Sequence, residues 1–188
     1  MDDGDAVLTY RDLYPLAAAA AEQLGEQGIC PGSVVGLPAG LDGDTLVTLH
    51  GIWTLGGSVA PLDLLWTRRE RERALEVLRP THLLDEPVTV SRAIPHRPDP
   101  EACRQMGPGE EVARLLTSGT SGRPRGVRLS FENLEANAQA SRERLALGPS
   151  DRWLASLSPS HVGGLALVCR AALLGSALVS RGPFNVSS

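Results

Sequence analysis

The chain has 188 residues, enough for one sizeable core, and its 42% hydrophobic content is that of a soluble globular protein. The net charge of −4 is dispersed, so no basic footprint for nucleic acid is present. No apolar run is long enough to cross a bilayer, the acidic start Met1-Asp2-Asp3-Gly4-Asp5 is the opposite of a secretory signal, and Cys30, Cys103 and Cys169 lack metal-ligand spacing and read as free thiols of a reducing cytoplasm.

Asp12 is a candidate cap for the first helix, with Pro15 in its first turn. Leu13, Leu16, Ala17, Ala20, Ala21 and Leu24 follow at i, i+3, i+4 spacing until Gly25 and Gly28 stop the pattern. Residues 33–37 read as a short buried strand, 42–55 as a second helix ended by Gly56-Gly57, and 58–61 as another strand. Residues 67–78 form a third helix whose run from Arg68 to Arg73 reads as a solvated face. A strand at 82–84 follows. Residues 87–109 hold five prolines and little periodicity, which suits a surface connection between a first unit, 1–86, and a second, 110–188. In the second unit strands are expected at 112–117, 127–129, 151–157 and 176–180, with helices starting at Ser130 and at His161. Helices alternating with short apolar strands predict an α/β fold with a parallel sheet.

The stretch Thr117-Ser118-Gly119-Thr120-Ser121-Gly122-Arg123-Pro124-Arg125-Gly126 carries the strongest chemical signal. An apolar strand enters it and another leaves it. Glycines let backbone approach a ligand, successive N–H groups can line an anion nest, and arginine forks onto phosphate oxygens. The composition suits a polyphosphate cradle. It is not a Walker A loop, which needs four residues between its glycines and then Gly-Lys-Ser/Thr.

The ordered string resembles the phosphate loop of the adenylate-forming superfamily, which includes acyl-CoA synthetases, luciferases and peptide-synthetase adenylation domains. The usual pattern there is Thr-Ser-Gly-Thr-Thr-Gly-x-Pro-Lys-Gly-Val, and this chain has Ser121 and Arg125 at the two departures. Leu8-Thr9-Tyr10-Arg11-Asp12-Leu13, Gly32-Ser33-Val34-Val35-Gly36 and Leu55-Gly56-Gly57-Ser58-Val59-Ala60-Pro61-Leu62-Asp63 are similar to further segments of that family in the same order. The resemblance runs over roughly the whole chain but reaches only the first part of the family's architecture. It implies parallel-sheet subdomains of an incomplete N-terminal domain, without the C-terminal lid, the metal-bridging Glu or the acylation-promoting Lys. The fragment alone is expected to be inactive, with an unprotected sheet edge after residues 176–180. All 18 basic residues are Arg, so chemistry that needs a lysine is outside its reach.

A second constellation is Ser158-Pro159-Ser160-His161-Val162-Gly163-Gly164. It sets an imidazole at the carboxyl end of a strand, where α/β proteins gather ligands. By itself a capping or core histidine is the simpler reading. The resemblance reverses that, because acyl-CoA ligases have a Pro-x-x-His-x-x-Gly segment whose His lies at the acyl pocket, and the run through Arg170 is most similar to o-succinylbenzoate-CoA ligases of menaquinone synthesis. Arg170 is either a substrate contact or a surface or capping residue. Trp153 reads as core, and Asp63 and Asp151 as turn or cap residues.

The resemblance implies a two-step ligase that uses ATP, Mg²⁺ and coenzyme A. Thr117, Ser118, Thr120, Ser121 and Arg125 would supply donors to phosphate, Gly119, Gly122 and Gly126 backbone access, and His161 would be the catalytic-site histidine, with no metal ligand in the chain. A fatty acyl-CoA ligase, an amino-acid adenylation domain and a non-catalytic nucleotide-binding remnant are the alternatives. The expected partners are a carboxylic acid, ATP and CoA, with neither nucleic acid nor a membrane span.

Overall fold

The computed structural model describes residues 7–91, 106–117 and 124–180. The first helix, α1 (Tyr10–Glu26), starts earlier than the sequence suggests. Thr9, not Asp12, is its N-cap: Thr9 Oγ1 accepts the Asp12 backbone N–H at 3.2 Å and the Asp12 carboxylate accepts the Thr9 N–H at 3.1 Å. This reciprocal pairing satisfies two orphan donors of the first turn, and Asp12 serves as its third residue. Pro15 accordingly lies inside the helix, beyond the first turn. The periodic residues Leu16, Ala17, Ala20, Ala21 and Leu24 are buried as their spacing predicts.

That face packs on α2 (Gly43–Thr54), which Asp42 caps through the Thr45 N–H at 2.7 Å. The approach is close at Gly51, where an added Cβ would stand 2.9 Å from Ala20 Cβ. Between and after these helices run β1 (Val34–Pro38), β2 (Ser58–Leu62), α3 (Arg68–Leu78) and β3 (His82–Leu83). Thr67 and Glu70 form a capping box at the start of α3. Only Ala74 and Leu78 of α3 are buried, so its arginine run is a solvated face.

The rest of the described chain is β4 (Glu111–Thr117), β5 (Arg125–Ser130), α4 (Phe131–Leu145), β6 (Arg152–Ala155), α5 (Val162–Leu174) and β7 (Ala177–Ser180). The larger sheet has the order β3-β1-β2-β4-β5. It therefore joins strands from both sides of the proline-rich connection, while β6 and β7 pair in a second, parallel sheet. β1, β2, β3 and β4 run parallel, and β5 alone runs antiparallel against β4. The connection from Thr117 to Arg125 is too short for a parallel crossover, which needs a dozen or more residues. Its length dictates a hairpin.

The main core lies against this sheet. Leu37, Leu49, Ile52, Val59 and Leu165 are among its fully buried side chains. Burying each such side chain is worth about 1.5–3 kcal/mol. Trp53 ties α2 to the sheet by donating its indole N–H to the Val112 carbonyl at 2.9 Å. Among the described residues no helix is long and apolar enough to cross a membrane.

Candidate functional site

Parallel strands bring like ends to one edge. Pro38 of β1, Leu62 of β2 and Thr117 of β4 all end at the carboxyl edge of the larger sheet. Val59 of β2 pairs with Ala113 of β4. The residue after β2, Asp63, and the last residue of β4, Thr117, therefore both stand at that edge.

Thr117 is where the polyphosphate-type loop leaves the sheet. It pairs with Arg125 across the hairpin, and its hydroxyl donates to the Arg125 carbonyl at 3.2 Å. The loop mouth is thus closed by the hydroxyl of one expected ligand residue on the backbone of another. Arg125 is exposed, and its guanidinium has no partner among the described residues. Gly126 faces Leu116 in the ladder, and a Cβ added there would meet Val77 at an ordinary 3.4 Å. Ser118, Gly119, Thr120, Ser121 and Gly122 lie outside the described residues.

The opposite end of the hairpin is anchored by Glu111. Its carboxylate accepts from Arg114 Nε at 2.9 Å, from the Ser58 hydroxyl at 3.1 Å and from Arg128 Nε. Arg114 also donates to the Leu78 carbonyl at 2.8 Å. Burial pushes the Glu111 carboxyl up, but the hydrogen bonds and charges of Arg114 and Arg128 outweigh it and leave it below its ordinary value. One carboxylate so links β2, β4 and β5.

The second constellation reaches the same edge. The turn before α5 is tied to the ends of β1 and β2: the Ser158 hydroxyl donates to the Ala39 carbonyl at 3.0 Å, and the Ser160 hydroxyl donates to Asp63 Oδ2 at 3.0 Å. His161 is the N-cap residue of α5 but makes no side-chain cap bond. Its Nε2 instead lies 3.3 Å from Asp63 Oδ2, with the His161 side chain 60% exposed and that of Asp63 only 11%. His161 therefore caps α5 through its backbone only and is not a core histidine. The two glycines differ in purpose. A Cβ on Gly164 would stand 2.2 Å from the Ser158 carbonyl oxygen and 2.4 Å from that of Leu157, so this glycine is required for the turn to lie against α5.

Asp63 acts in a turn, as its sequence context suggests, by accepting the Leu65 N–H at 2.9 Å. Its further contacts to Ser160 and His161 were not legible, since those partners are about a hundred residues away. Asp151 accepts the Gly148 N–H at 2.6 Å in the turn before β6. Arg170 stacks over the half-buried Trp153, 4.9 Å from the ring centroid, and donates to Asn137 Oδ1 at 2.8 Å. Its guanidinium joins α4, α5 and β6. Among the described residues no group of three His, Cys, Asp or Glu side chains could hold a metal ion.

A family model described as AMP-binding enzyme matches residues 1–187. The chain belongs to this family of adenylate-forming ligases. Its relatives include the 2-succinylbenzoate–CoA ligase of Bacillus pumilus, 28% identical over 97% of this chain and 40% of that protein. The corresponding ligase of Bacillus subtilis is 26% identical over the same shares. A probable non-canonical nonribosomal peptide synthetase, CymA of Salinispora arenicola, is 26% identical over 85% of this chain but 2% of its own length. Among solved structures, o-succinylbenzoate CoA synthetase of Bacillus subtilis in complex with the acyl-adenylate intermediate superposes with a TM-score of 0.82 at 25% identity. That match covers 98% of this chain and 52% of the other. The chain spans about two-fifths of the length of the curated ligases it matches. The mainly parallel α/β architecture expected from the sequence is the one observed, with β5 as its antiparallel exception.

Proposed function

We propose that these residues form the phosphate-binding part of an ATP-dependent carboxylic acid–CoA ligase, with 2-succinylbenzoate as the acid. The observation that carries this reading is the hairpin loop opening at Thr117 on the same sheet edge as Asp63, Ser160 and His161. A loop of hydroxyls, glycines and guanidinium groups suits phosphate oxygens, and an imidazole at the same sheet edge suits a carboxylic acid. The choice of acid is supported by the succinylbenzoate ligases among the relatives.

In the reaction so proposed, the acid's carboxylate attacks the α-phosphorus of ATP, giving acyl-AMP and pyrophosphate. The thiol of coenzyme A then displaces AMP to give the thioester. Negative charge builds on phosphate oxygens in the first step, and donors fixed around them stabilise it. Ser118, Thr120, Ser121, Arg125 and the backbone at Gly119, Gly122 and Gly126 take that role, with Thr117 holding the loop mouth. Magnesium enters with the phosphates of ATP as part of the substrate. His161 lines the acid side. The cytoplasm is the compartment that supplies ATP and coenzyme A together.

The peptide-synthetase relative favours a second reading, an amino-acid adenylation domain. Pyrophosphate release from ATP separates the readings. It would be measured across 2-succinylbenzoate, fatty acids and amino acids on the longest translated product containing these residues. Release only with 2-succinylbenzoate is expected. Preference for a fatty acid or an amino acid would reject the choice of acid, and ADP formation or acid-independent turnover would reject adenylation altogether. Nucleotide binding without any turnover would mark a non-catalytic remnant.

A further inference from the structure

The carboxylate of Asp63 is more than a turn residue. Oδ1 accepts the Leu65 N–H at 2.9 Å, which fixes the carboxylate against its own strand end. Oδ2 accepts the Ser160 hydroxyl at 3.0 Å and faces His161 Nε2 at 3.3 Å. Ser160 is buried, its backbone N–H donates to the Ser158 hydroxyl at 3.2 Å, and Ser158 is bonded to Ala39. The acceptor facing Nε2 is therefore held from three directions, by residues after β1, after β2 and before α5. The ring it faces is mostly exposed.

We propose that Asp63 is the positioning residue of His161. An ionised carboxylate only accepts hydrogen bonds, so it holds the proton of the neutral ring on Nε2. Nδ1 is left as the nitrogen that meets a ligand at the carboxyl edge of the sheet. That the ligand is a carboxylic acid rests on the function proposed above; the pairing of Asp63 with His161 does not.

The test reads the ring nitrogens of the ¹⁵N-histidine-labelled 188-residue chain by long-range ¹H–¹⁵N correlation, at a pH where His161 is neutral. His161→Gln assigns the signal. The wild-type ring is expected as the Nε2–H tautomer. Asp63→Asn keeps one oxygen for the Leu65 N–H but presents an amide N–H₂ to the ring, which turns Nε2 into an acceptor. A several-fold rise in the Nδ1–H tautomer is expected in that variant. Ser160→Ala, which leaves the carboxylate in place, is expected to keep the wild-type tautomer. Equal tautomer fractions in wild type and Asp63→Asn would overturn the proposal. If Asp63→Asn did not fold, the wild type decides: a ring with the tautomer mixture of a free histidine would overturn it, and a single Nε2–H form would uphold it. The reading is independent of turnover, so a wrong substrate class would show in pyrophosphate release and leave this result untouched.

Discussion

The hydroxyl of Thr117 donates to the backbone carbonyl of Arg125 at 3.2 Å, so the two residues that flank the polyphosphate-type loop close it themselves. The closing bond consumes the Arg125 carbonyl and leaves its guanidinium exposed. A side chain fixed at its root and exposed at its tip is suited to follow a phosphate group.

Arg125→Ala is expected to weaken binding of Mg²⁺–ATP, and Arg125→Lys to restore most of it. A hydrogen bond to a charged group is worth about 1.5–3 kcal/mol, roughly ten- to hundredfold in affinity. Calorimetric titration of the nucleotide checks this. Unchanged affinity in the alanine variant would show that the loop acts through its hydroxyls and amides alone.

Gly163 and Gly164 should respond in opposite ways to alanine. Both lie in the first turn of α5, where alanine is preferred over glycine by about 1 kcal/mol. At Gly163 the new Cβ would meet the tip of Leu157 at 3.0 Å, and a flexible side chain can move. At Gly164 it would meet two backbone carbonyl oxygens at 2.2 and 2.4 Å, which cannot yield without breaking the turn that carries Ser160 and His161. Urea unfolding is expected to show Gly163→Ala neutral or slightly stabilising and Gly164→Ala destabilising by about 2 kcal/mol, within the range for overpacking. Similar stabilities for the two variants would mean that the turn does not bear on α5.

Most of the elements were legible because their causes are local. The apolar rhythm from Leu16 to Leu24, the helix starts at Asp42 and Ser130, and the glycine stop at Gly56-Gly57 act within one or two turns. The first cap was misplaced because both Thr9 and Asp12 can cap, and only the reciprocal geometry assigns one to each role. The antiparallel direction of β5 departs from the parallel sheet expected, because the apolar content of a strand says nothing of its direction. The expectation of phosphate binding at the loop rests on its composition alone. The couplings that build the site are different. Asp63 to Ser160, Ser158 to Ala39 and Trp53 to Val112 join residues far apart in sequence, and each polar partner taken alone is an ordinary turn or surface residue. Arg170 was ambiguous for the same reason, since its partners Trp153 and Asn137 lie on other elements.

The two described cysteines should differ sharply in reactivity. Cys30 is exposed, while Cys169 is buried in α5, where burial pushes its thiol up to about 12. The thiolate is the reactive form. At pH 8 an aromatic disulfide reagent is expected to modify Cys30 within minutes and Cys169 only after unfolding, in a chain with Cys103 replaced by serine. Equal rates for both thiols would show that α5 opens readily in the folded chain.

His50 makes the fold sensitive to acid. The imidazole sits on α2 edge-on to Trp53, with ring centroids 5.1 Å apart, and lines a cleft of about 300 Å³ together with Leu8, Leu46 and Leu178. Burial lowers its pKa from 6.5 to about 4. The folded chain therefore keeps His50 neutral in a range where the unfolded chain protonates it. Its contribution is present in full above about pH 6.5 and is lost as the pH falls towards 4. At 1.36 kcal/mol per pKa unit, the loss approaches about 3 kcal/mol. Replacing His50 by leucine removes the titrating group and keeps an apolar side chain against Trp53. Urea midpoints measured from pH 7.5 to 4.5 should fall more steeply for the wild type than for His50→Leu, with the gap opening below pH 6.5. Parallel curves for the two proteins would show that His50 is hydrated enough to protonate in the folded state, and that the cleft beside α1 and α2 is wet.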